Sequence, residues 1–429
     1  MVTDTIIKKG LPDETSVKVG YKQTELGVIP EDWVVKTLGE IGKFKGGSGF
    51  PIKYQGKVES KYPFYKVSDM NNEGNQTFMR NSNNWINENT KKIIGANIFP
   101  KHTIVFAKIG AAIYLERKKI LFMESCIDNN MMGFIFDEFQ SDYRFLHYLF
   151  LRIQLGKLVS ATALPSLNGK QIAELCFAFP KKKEQTAIAT VLSDTDMLIE
   201  RLEKLIAKKK GIKRGTMQQL LTGKKRLSGF SEKWEVTNLG KVVEFAHGRS
   251  LSKSDLNEEG TYKCIHYGQL FTTYKELIRE VKSRTNKNDG SFYSRENDVL
   301  MPTSDVTPRG LATASCIKET GVILGGGILV IRLHPGYDGL YFSYFVTQNK
   351  ISVLKLVKGS TVFHLYANDL ATLEVCFPNF QEQIAITRVL SDMDAEIESL
   401  GQKRDKYTML KQGMMQQLLT GRIRIYANN

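Results

Sequence analysis

One stretch of this chain occurs twice. Residues 180–227 align without a gap to residues 378–425, 198 positions later, and 24 of the 48 pairs are identical, against roughly three expected from ordinary composition. The first copy carries Glu184-Gln185, Val191-Leu192-Ser193-Asp194-Thr195-Asp196, Ile199-Glu200 and Met217-Gln218-Gln219-Leu220-Leu221-Thr222-Gly223. The second carries Glu382-Gln383, Val389-Leu390-Ser391-Asp392-Met393-Asp394, Ile397-Glu398 and Met415-Gln416-Gln417-Leu418-Leu419-Thr420-Gly421. So long a period is a duplicated domain plus connector, not a solenoid of small units. Upstream, Leu26–Trp33 leads into Leu38-Gly39 and Leu227–Trp234 into Leu239-Gly240. Each lead-in opens about 140 residues that the halves share only in outline. Tyr143 and Tyr341, Leu158-Val159 and Leu356-Val357, and Leu167 and Leu365 keep the offset, whereas residues 45–135 and 246–330 diverge heavily. The order is variable, constant, variable, constant.

A chain of 429 residues has room for two to four domains, each with its own core. With 42% hydrophobic and 24% charged residues the composition is globular rather than disordered. No apolar run reaches the roughly 18–20 residues needed to cross a bilayer, and the N-terminus lacks the apolar core of a signal peptide. A cytoplasmic protein with no membrane association is expected. The five cysteines, Cys126, Cys176, Cys264, Cys316 and Cys376, form no C-x-x-C pair and read as reduced, partly buried thiols. The six histidines show no ligand spacing, so no metal site is expected. A net charge of +15 favours polyanionic partners through counterion release. Part of the excess lies in residues 181–226, with 13 Lys/Arg against five Asp/Glu.

The constant blocks read as helices. Ile188, Val191 and Leu192 mark a short apolar stripe, and Leu198, Ile199, Leu202, Leu205 and Ile206 continue at three- and four-residue steps. Ser193 with Asp196, and Ser391 with Asp394, match a capping box with the shorter Asp, which predicts helix starts near 194 and 392. The D-x-D spelling of Asp194 and Asp196 needs no metal ion, because acidic residues in a first turn are favoured by the helix dipole. Gly223 and Gly421, followed by basic residues, signal the helix ends, and Gly211 and Gly215 suggest a kink. From 194 to 222 is about 43 Å at 1.5 Å per residue. Two such helices packed antiparallel would bury both stripes, although Lys209 and Arg404 interrupt them. Each helix could also pack on its own domain as an ordinary amphipathic element.

The variable segments contain strand-like runs, 61–67, 103–107 and 327–333, separated by clusters such as Asn71–Asn75 and Asn286–Gly290. Helix-like stretches follow at Tyr143–Leu158 and Leu340–Leu356. Loops with small, polar and basic residues can meet bases and phosphates. Candidate DNA contacts in the first half are Lys45, Ser48, Tyr54, Lys66, Ser68 and Lys108. In the second half they are His247, Arg249, Ser250, His266, Tyr267, Gln269, Thr303, Ser304 and Arg309. Arg249 and Arg309 stand out because a guanidinium fork matches a guanine edge. Trp33 and Trp234 read as core anchors. Gly46-Gly47-Ser48-Gly49 and Gly325-Gly326-Gly327 are too short and wrongly flanked for nucleotide loops, and no catalytic triad can be assembled from spacing.

Taken together, the paired lead-ins Trp33–Gly39 and Trp234–Gly240, the Glu-Gln-x-x-Ile starts at Glu184–Ile188 and Glu382–Ile386, and the LLTG ends at Leu220–Gly223 and Leu418–Gly421 carry a likeness across residues 20–426. The chain resembles the specificity subunit of type I restriction-modification systems. The resemblance implies an α+β fold class, with two loop-rich target-recognition domains separated by two long antiparallel conserved helical regions in a pseudo-two-fold internal repeat. It places an N-terminal arm at 1–25, recognition domains at 26–165 and 227–363, and helical spacers at 166–226 and 364–429. It further implies double-stranded DNA as ligand, with each domain reading half of a bipartite site. Two methyltransferase subunits and two restriction subunits would be partners, and S-adenosylmethionine, ATP and Mg would be bound by those partners rather than by this chain. No N-P-P-[YF] or D-P-P-[YF] tetrapeptide and no G-x-x-x-x-G-K-[ST] loop is present, so a non-catalytic subunit is expected. A self-contained nuclease or methyltransferase, and a non-specific architectural DNA-binding protein, are the other classes open to such a chain.

Overall fold

The computed structural model describes residues 17–159 and 164–425. It divides into two compact units, residues 1–201 with 404–429, and residues 202–403. Lys8 and Lys9 of the expected N-terminal arm lie outside the described residues. Among the described residues of that arm, Tyr21–Thr24 pairs antiparallel with Gly27–Pro30, and the Tyr21 hydroxyl donates to the Arg422 carbonyl at 3.4 Å.

Both units are built on one plan. The first has a five-stranded sheet in the order Gly42–Gly46, Met131–Phe136, Ile104–Ala107, Lys118–Leu121, Phe78–Met79. The second repeats it with Val243–His247, Ile328–Leu333, Val299–Pro302, Ser315–Ile317 and Leu277–Ile278. In each sheet only the last pair is parallel. The central strands are buried on both faces, and alternate residues serve two cores, as a period of two requires. Ile104 and Phe106 pack with Phe134, Phe145 and Phe150, whereas Val105 packs with Tyr65, Phe99 and Leu121. In the second unit Val299, Met301 and Ile331 serve one core and Leu300, Ile328 and Val330 the other.

Each helix-like stretch of the variable segments is broken into two shorter pieces. Tyr143–Arg152 is capped by the Asp142 carboxylate, accepting from Arg144 N, and is followed by a short 3-10 turn at Leu155–Lys157. Asp338 caps Gly339–Gln348, and Asn349 separates that helix from Lys350–Leu354.

The constant blocks form two helices of 39 residues each, Lys182–Leu220 and Phe380–Leu418. They begin about a dozen residues earlier than the Ser-x-x-Asp signatures predict and span about 58 Å rather than 43 Å at 1.5 Å per residue. The reason is burial. Ile188 and Leu192 are fully buried, and their stripe continues in phase to Leu202 and Ile206, so the apolar face overrides the local capping signal. Ser193 lies mid-helix, its hydroxyl donating to the Thr190 carbonyl at 3.0 Å. The second helix is capped at its actual start by Asn379, which accepts from Glu382 N at 2.9 Å. The first helix runs unbroken through Gly211 and Gly215. Both helices end as the glycines predict, with Gly223 and Gly421 at φ +68° and +72°.

Each unit holds one half of each long helix, and within each unit the halves run antiparallel. In the first, Asp196 pairs with Lys411 at 2.5 Å; in the second, Asp394 pairs with Lys213 at 2.7 Å and Glu396 with Lys209 at 2.6 Å. The aspartates also accept a hydroxyl from the variable segments, Asp196 from Tyr148 and Asp394 from Tyr344, both at 2.7 Å. The second acid of the D-x-D motif is thus a structural acceptor. A second pair of clusters is more buried still. Glu382, fully buried, takes a bidentate pair from Arg226 at 2.6 Å and the indole N–H of Trp234 at 3.1 Å. Glu184 takes Arg424 at 2.7 and 2.8 Å and Trp33 at 3.1 Å, and Arg424 also reaches Asp32. Trp33 is wholly buried and Trp234 partly so.

Replacing Glu382 with Ala removes the acceptor of the Arg226 guanidinium and leaves the Trp234 indole N–H without a partner, which costs on the order of 1–3 kcal/mol. Denaturant titration should show that loss, with Glu382→Gln intermediate. A pH effect follows from His147, buried in the helix Tyr143–Arg152 with its Nε2–H donating to the Lys118 carbonyl at 2.9 Å. Burial depresses its pKa from 6.5 to about 4. The folded value lies below the unfolded one, so the unfolded chain takes up a proton that the native chain refuses. Stability should therefore fall as pH drops from about 6.5 to about 4, by about 3 kcal/mol in total. His147→Gln should lack this component when the two proteins are compared by denaturant titration at pH 7 and pH 4.5.

Candidate nucleic-acid interface

At one end of each five-stranded sheet, three segments converge on a tight turn. In the first unit that turn is Asp128-Asn129-Asn130 and in the second it is Gly325-Gly326-Gly327. The turn is held by backbone hydrogen bonds that recur one for one. Ser48 N donates to Ile127 O, as Arg249 N does to Leu324 O, both at 2.9 Å. Asp128 N donates to Tyr65 O, as Gly325 N does to Ile265 O, again at 2.9 Å. Lys108 N reaches Asn130 O at 2.8 Å and Thr303 N reaches Gly327 O at 2.9 Å. Behind them Leu167 N bonds Lys108 O and Leu365 N bonds Thr303 O. Because main-chain groups make these contacts, the frame survives side-chain divergence.

The approach is so close that one position must be glycine in each unit. A β-carbon at Gly47 would lie 2.0 Å from the Asp128 carbonyl oxygen, and one at Gly248 would lie 2.1 Å from that of Gly325. This is the physical content of the glycine clusters in the sequence. In the second unit the next turn is also unusual, with Ser250 at φ +57° directly after Arg249.

The frame brings most of the sequence-selected residues together. In the first unit it gathers Lys45, Ser48, Lys66 and Lys108. Lys45 is exposed, with its ammonium 5.8 Å from the centre of the Phe99 ring, and the Lys108 ammonium overlies Gly46. Ser48 is buried and its hydroxyl accepts from Asn97 N at 2.8 Å, while the Lys66 ammonium donates to Gln55 Oε1 at 3.0 Å. Tyr54 and Ser68 stand on flanking 3-10 turns, Ile52–Tyr54 and Val67–Asn71.

In the second unit the frame gathers His247, Arg249, Ser250, His266, Tyr267 and Thr303. Arg249 is exposed, and its guanidinium has no protein partner among the described residues. The Tyr267 ring lies against Gly327, where a β-carbon would come within 3.2 Å. The His266 ring accepts from Gly268 N at 3.2 Å, and burial first, then the charge of Lys253, pushes its pKa down. Gln269 uses both amide atoms internally, accepting from His266 N at 2.9 Å and donating to Ser283 at 2.6 Å. The Thr303 hydroxyl donates to the Gly327 carbonyl at 3.2 Å. Ser304 pairs with His364 one strand further on, and exposed Arg309 rides on the 3-10 turn Pro308–Ala312 beyond it.

The turn itself adds residues outside the sequence-based candidates. Asn129 and Asn130 are both exposed, and Asn130 N donates to the Asp128 carboxylate at 3.1 Å. Burial raises the pKa of that carboxyl, the Asn130 hydrogen bonds offsetting part of the rise. An Asn-Asn pair after Cys126–Ile127 was a legible turn signal. What no spacing could show is that it stands opposite Gly325–Gly327, since the two halves differ in length between matched positions. Among the described residues, no group of three or more His, Cys, Asp or Glu side chains is placed to hold a metal ion, and no helix is long and apolar enough to cross a membrane.

Comparison with known proteins agrees with this duplicated plan. A family profile described as type I restriction modification DNA specificity domain matches twice, over residues 30–213 and 231–406. The chain is similar to the putative type I restriction enzyme MjaX specificity subunit of Methanocaldococcus jannaschii, with 26% identity over 430 residues covering 94% of this chain and 97% of the relative. It is also similar to the MjaVIII specificity subunit of the same organism, 23% identical over 421 residues covering 92% and 94%. Among solved structures, the type I restriction-modification S subunit from M. genitalium superposes with a TM-score of 0.59 at 16% identity, over 90% of this chain and 96% of that one, a likeness of fold. Two profile matches that together span most of the sequence settle the assignment: this protein belongs to the family of type I restriction-modification DNA specificity subunits.

Proposed function

We propose that each unit reads one half of a split duplex site, and that the two long helices fix the unread spacer between the halves. The observation that carries this reading is the repeated frame: one backbone scaffold, bonded alike in both units, presents different side chains in each. A non-specific DNA binder has no use for two unlike reading surfaces, because phosphate contacts are blind to sequence. Exposed Lys45 in the first unit and Arg249 and Arg309 in the second suit phosphates and guanine edges. The net charge of +15 supplies the long-range attraction.

The chemistry then belongs to partners. Two methyltransferase subunits would bind S-adenosylmethionine and methylate adenine, and two restriction subunits would use ATP and Mg to translocate and cut. This chain would act beside them in the cytoplasm, holding no cofactor of its own. A helix of 39 residues is as long as about 17 base pairs of duplex at 3.4 Å each, a length suited to a ruler.

Methylome sequencing of a host with and without this gene should show the loss of one split, adenine-methylated motif on deletion. If no such motif disappears, the reading fails. Removing four residues from each helix, between Asp196 and Lys209 and between Glu396 and Lys411, leaves the ion pairs within each unit in place. It takes out about 6 Å of helix. The methylated motif should then keep both half-sites and lose about two base pairs of spacer. An unchanged spacer would refute the ruler while leaving the half-site readers standing.

A further inference from the structure

The matched hydrogen bonds put Asn130 in register with Gly327 and Asp128 with Gly325, so Asn129 and Gly326 occupy the same apex. The two residues there are unlike in a telling way. Gly47 and Gly248 are glycine because a neighbouring carbonyl leaves no room for a β-carbon, and Gly327 has a φ of +82°. Gly326 has neither excuse: its φ is not left-handed, and a β-carbon added to it meets no atom within 4 Å. Among the described residues nothing accounts for the missing side chain, as is also true of Gly49, and what sets Gly326 apart is its place at the apex of the frame. A glycine that neither the backbone nor packing demands fits a place where another molecule comes close to the main chain. Asn129, its counterpart, is exposed, and its amide has no protein partner among the described residues.

Resting on the half-site reading above, we propose that this apex is the specificity-determining tip of each recognition domain. Asn129 offers its amide oxygen and N–H to the edge of an adenine, whose N6 and N7 present the complementary donor and acceptor in the major groove. Gly326 admits the duplex against the bare main chain of the other tip, and recognition there passes to the neighbouring guanidinium of Arg249. The first half-site therefore contains an adenine read by residue 129, and the second contains a base step pressed against residue 326.

The test uses the full-length chain assembled with its methyltransferase subunits and a library of duplexes randomised in both half-sites. Asn129→Gly should reduce the preference for adenine at one position of one half-site by about 10- to 100-fold, with the other half-site read as before. Gly326→Asn should weaken binding by at least about 10-fold through the second half-site alone, with an unchanged thermal midpoint because the new side chain projects into open space. Asn129 is exposed, so its substitution keeps the test sound even where Gly326→Asn disturbs folding. Uniform weakening by Asn129→Gly without a change of preference would mark a phosphate contact and overturn the tip assignment. So would wild-type affinity and base preference in both variants, while leaving the half-site reading intact. Selection of no sequence at all by the unaltered assembly would overturn both.

Discussion

A buried carboxylate at the start of each long helix is the constraint on which the rest of the structure depends. Glu382 has no exposure to water, and a charge so placed is tolerable only with full compensation. Its partners come from elsewhere in the chain, Arg226 from beyond the end of the other long helix and Trp234 from the lead-in to the recognition domain. Satisfying one glutamate therefore brings the start of one helix, the tail of the other and the first residues of a domain to one point. Glu184 does the same with Arg424 and Trp33. Asp196 and Asp394 repeat the logic a little over three turns along, each accepting a tyrosine hydroxyl and a lysine. Direction is enforced by these pairs, since within each unit the partner's number falls on one helix as it rises on the other. Helix propensity alone carries no such information.

On this base the recognition domains combine a fixed frame with free tips. The five-stranded sheets keep their strand order because alternate residues of their central strands feed two cores, a demand on hydrophobicity and period that many side chains can meet. The turn at the sheet end keeps its position because its bonds are main chain to main chain. Ser48 and Arg249 occupy equivalent places in that frame, yet one hydroxyl is turned inward to Asn97 while the other side chain reaches solvent. The same scaffold can thus hold a lysine-rich surface in one unit and an arginine-and-aromatic surface in the other. Divergence over residues 45–135 and 246–330 is compatible with one fold because the features that vary are not the ones that hold it together.

How far the chain could be read in advance depended on whether a signal was local. Strands at Tyr62–Tyr65, Ile104–Ala107 and Ile328–Leu333 announced themselves by β-branched and aromatic runs, and Gly223 and Gly421 marked the helix ends because a left-handed residue there is a backbone requirement. The helix starts at Lys182 and Phe380 carry no such local mark. Ser193 and Asp196 look like a cap in isolation, but Ile188 and Leu192 are wholly buried, and burial outweighs a cap worth about 1 kcal/mol. Among the site candidates, Gln269 has the polar side chain expected of a DNA-contacting loop, yet both ends of its amide hold the loop together. The alignment of Asn129 with Gly326 carries no local signal, because it rests on main-chain hydrogen bonds between distant segments.

The sequence by itself determined that this chain is duplicated, with two unlike variable parts, long helices and a strong positive charge, because repetition, periodicity and composition survive without coordinates; its likeness to DNA specificity subunits rested on the paired motifs. It also displayed the Glu-Gln pairs that open each helix, as letters without a role. Only the tertiary structure decided what those glutamates hold, where the helices begin, and which variable residues share an apex. Those answers depend on burial and on main-chain hydrogen bonds between segments far apart in the chain, and distance along a sequence does not encode either.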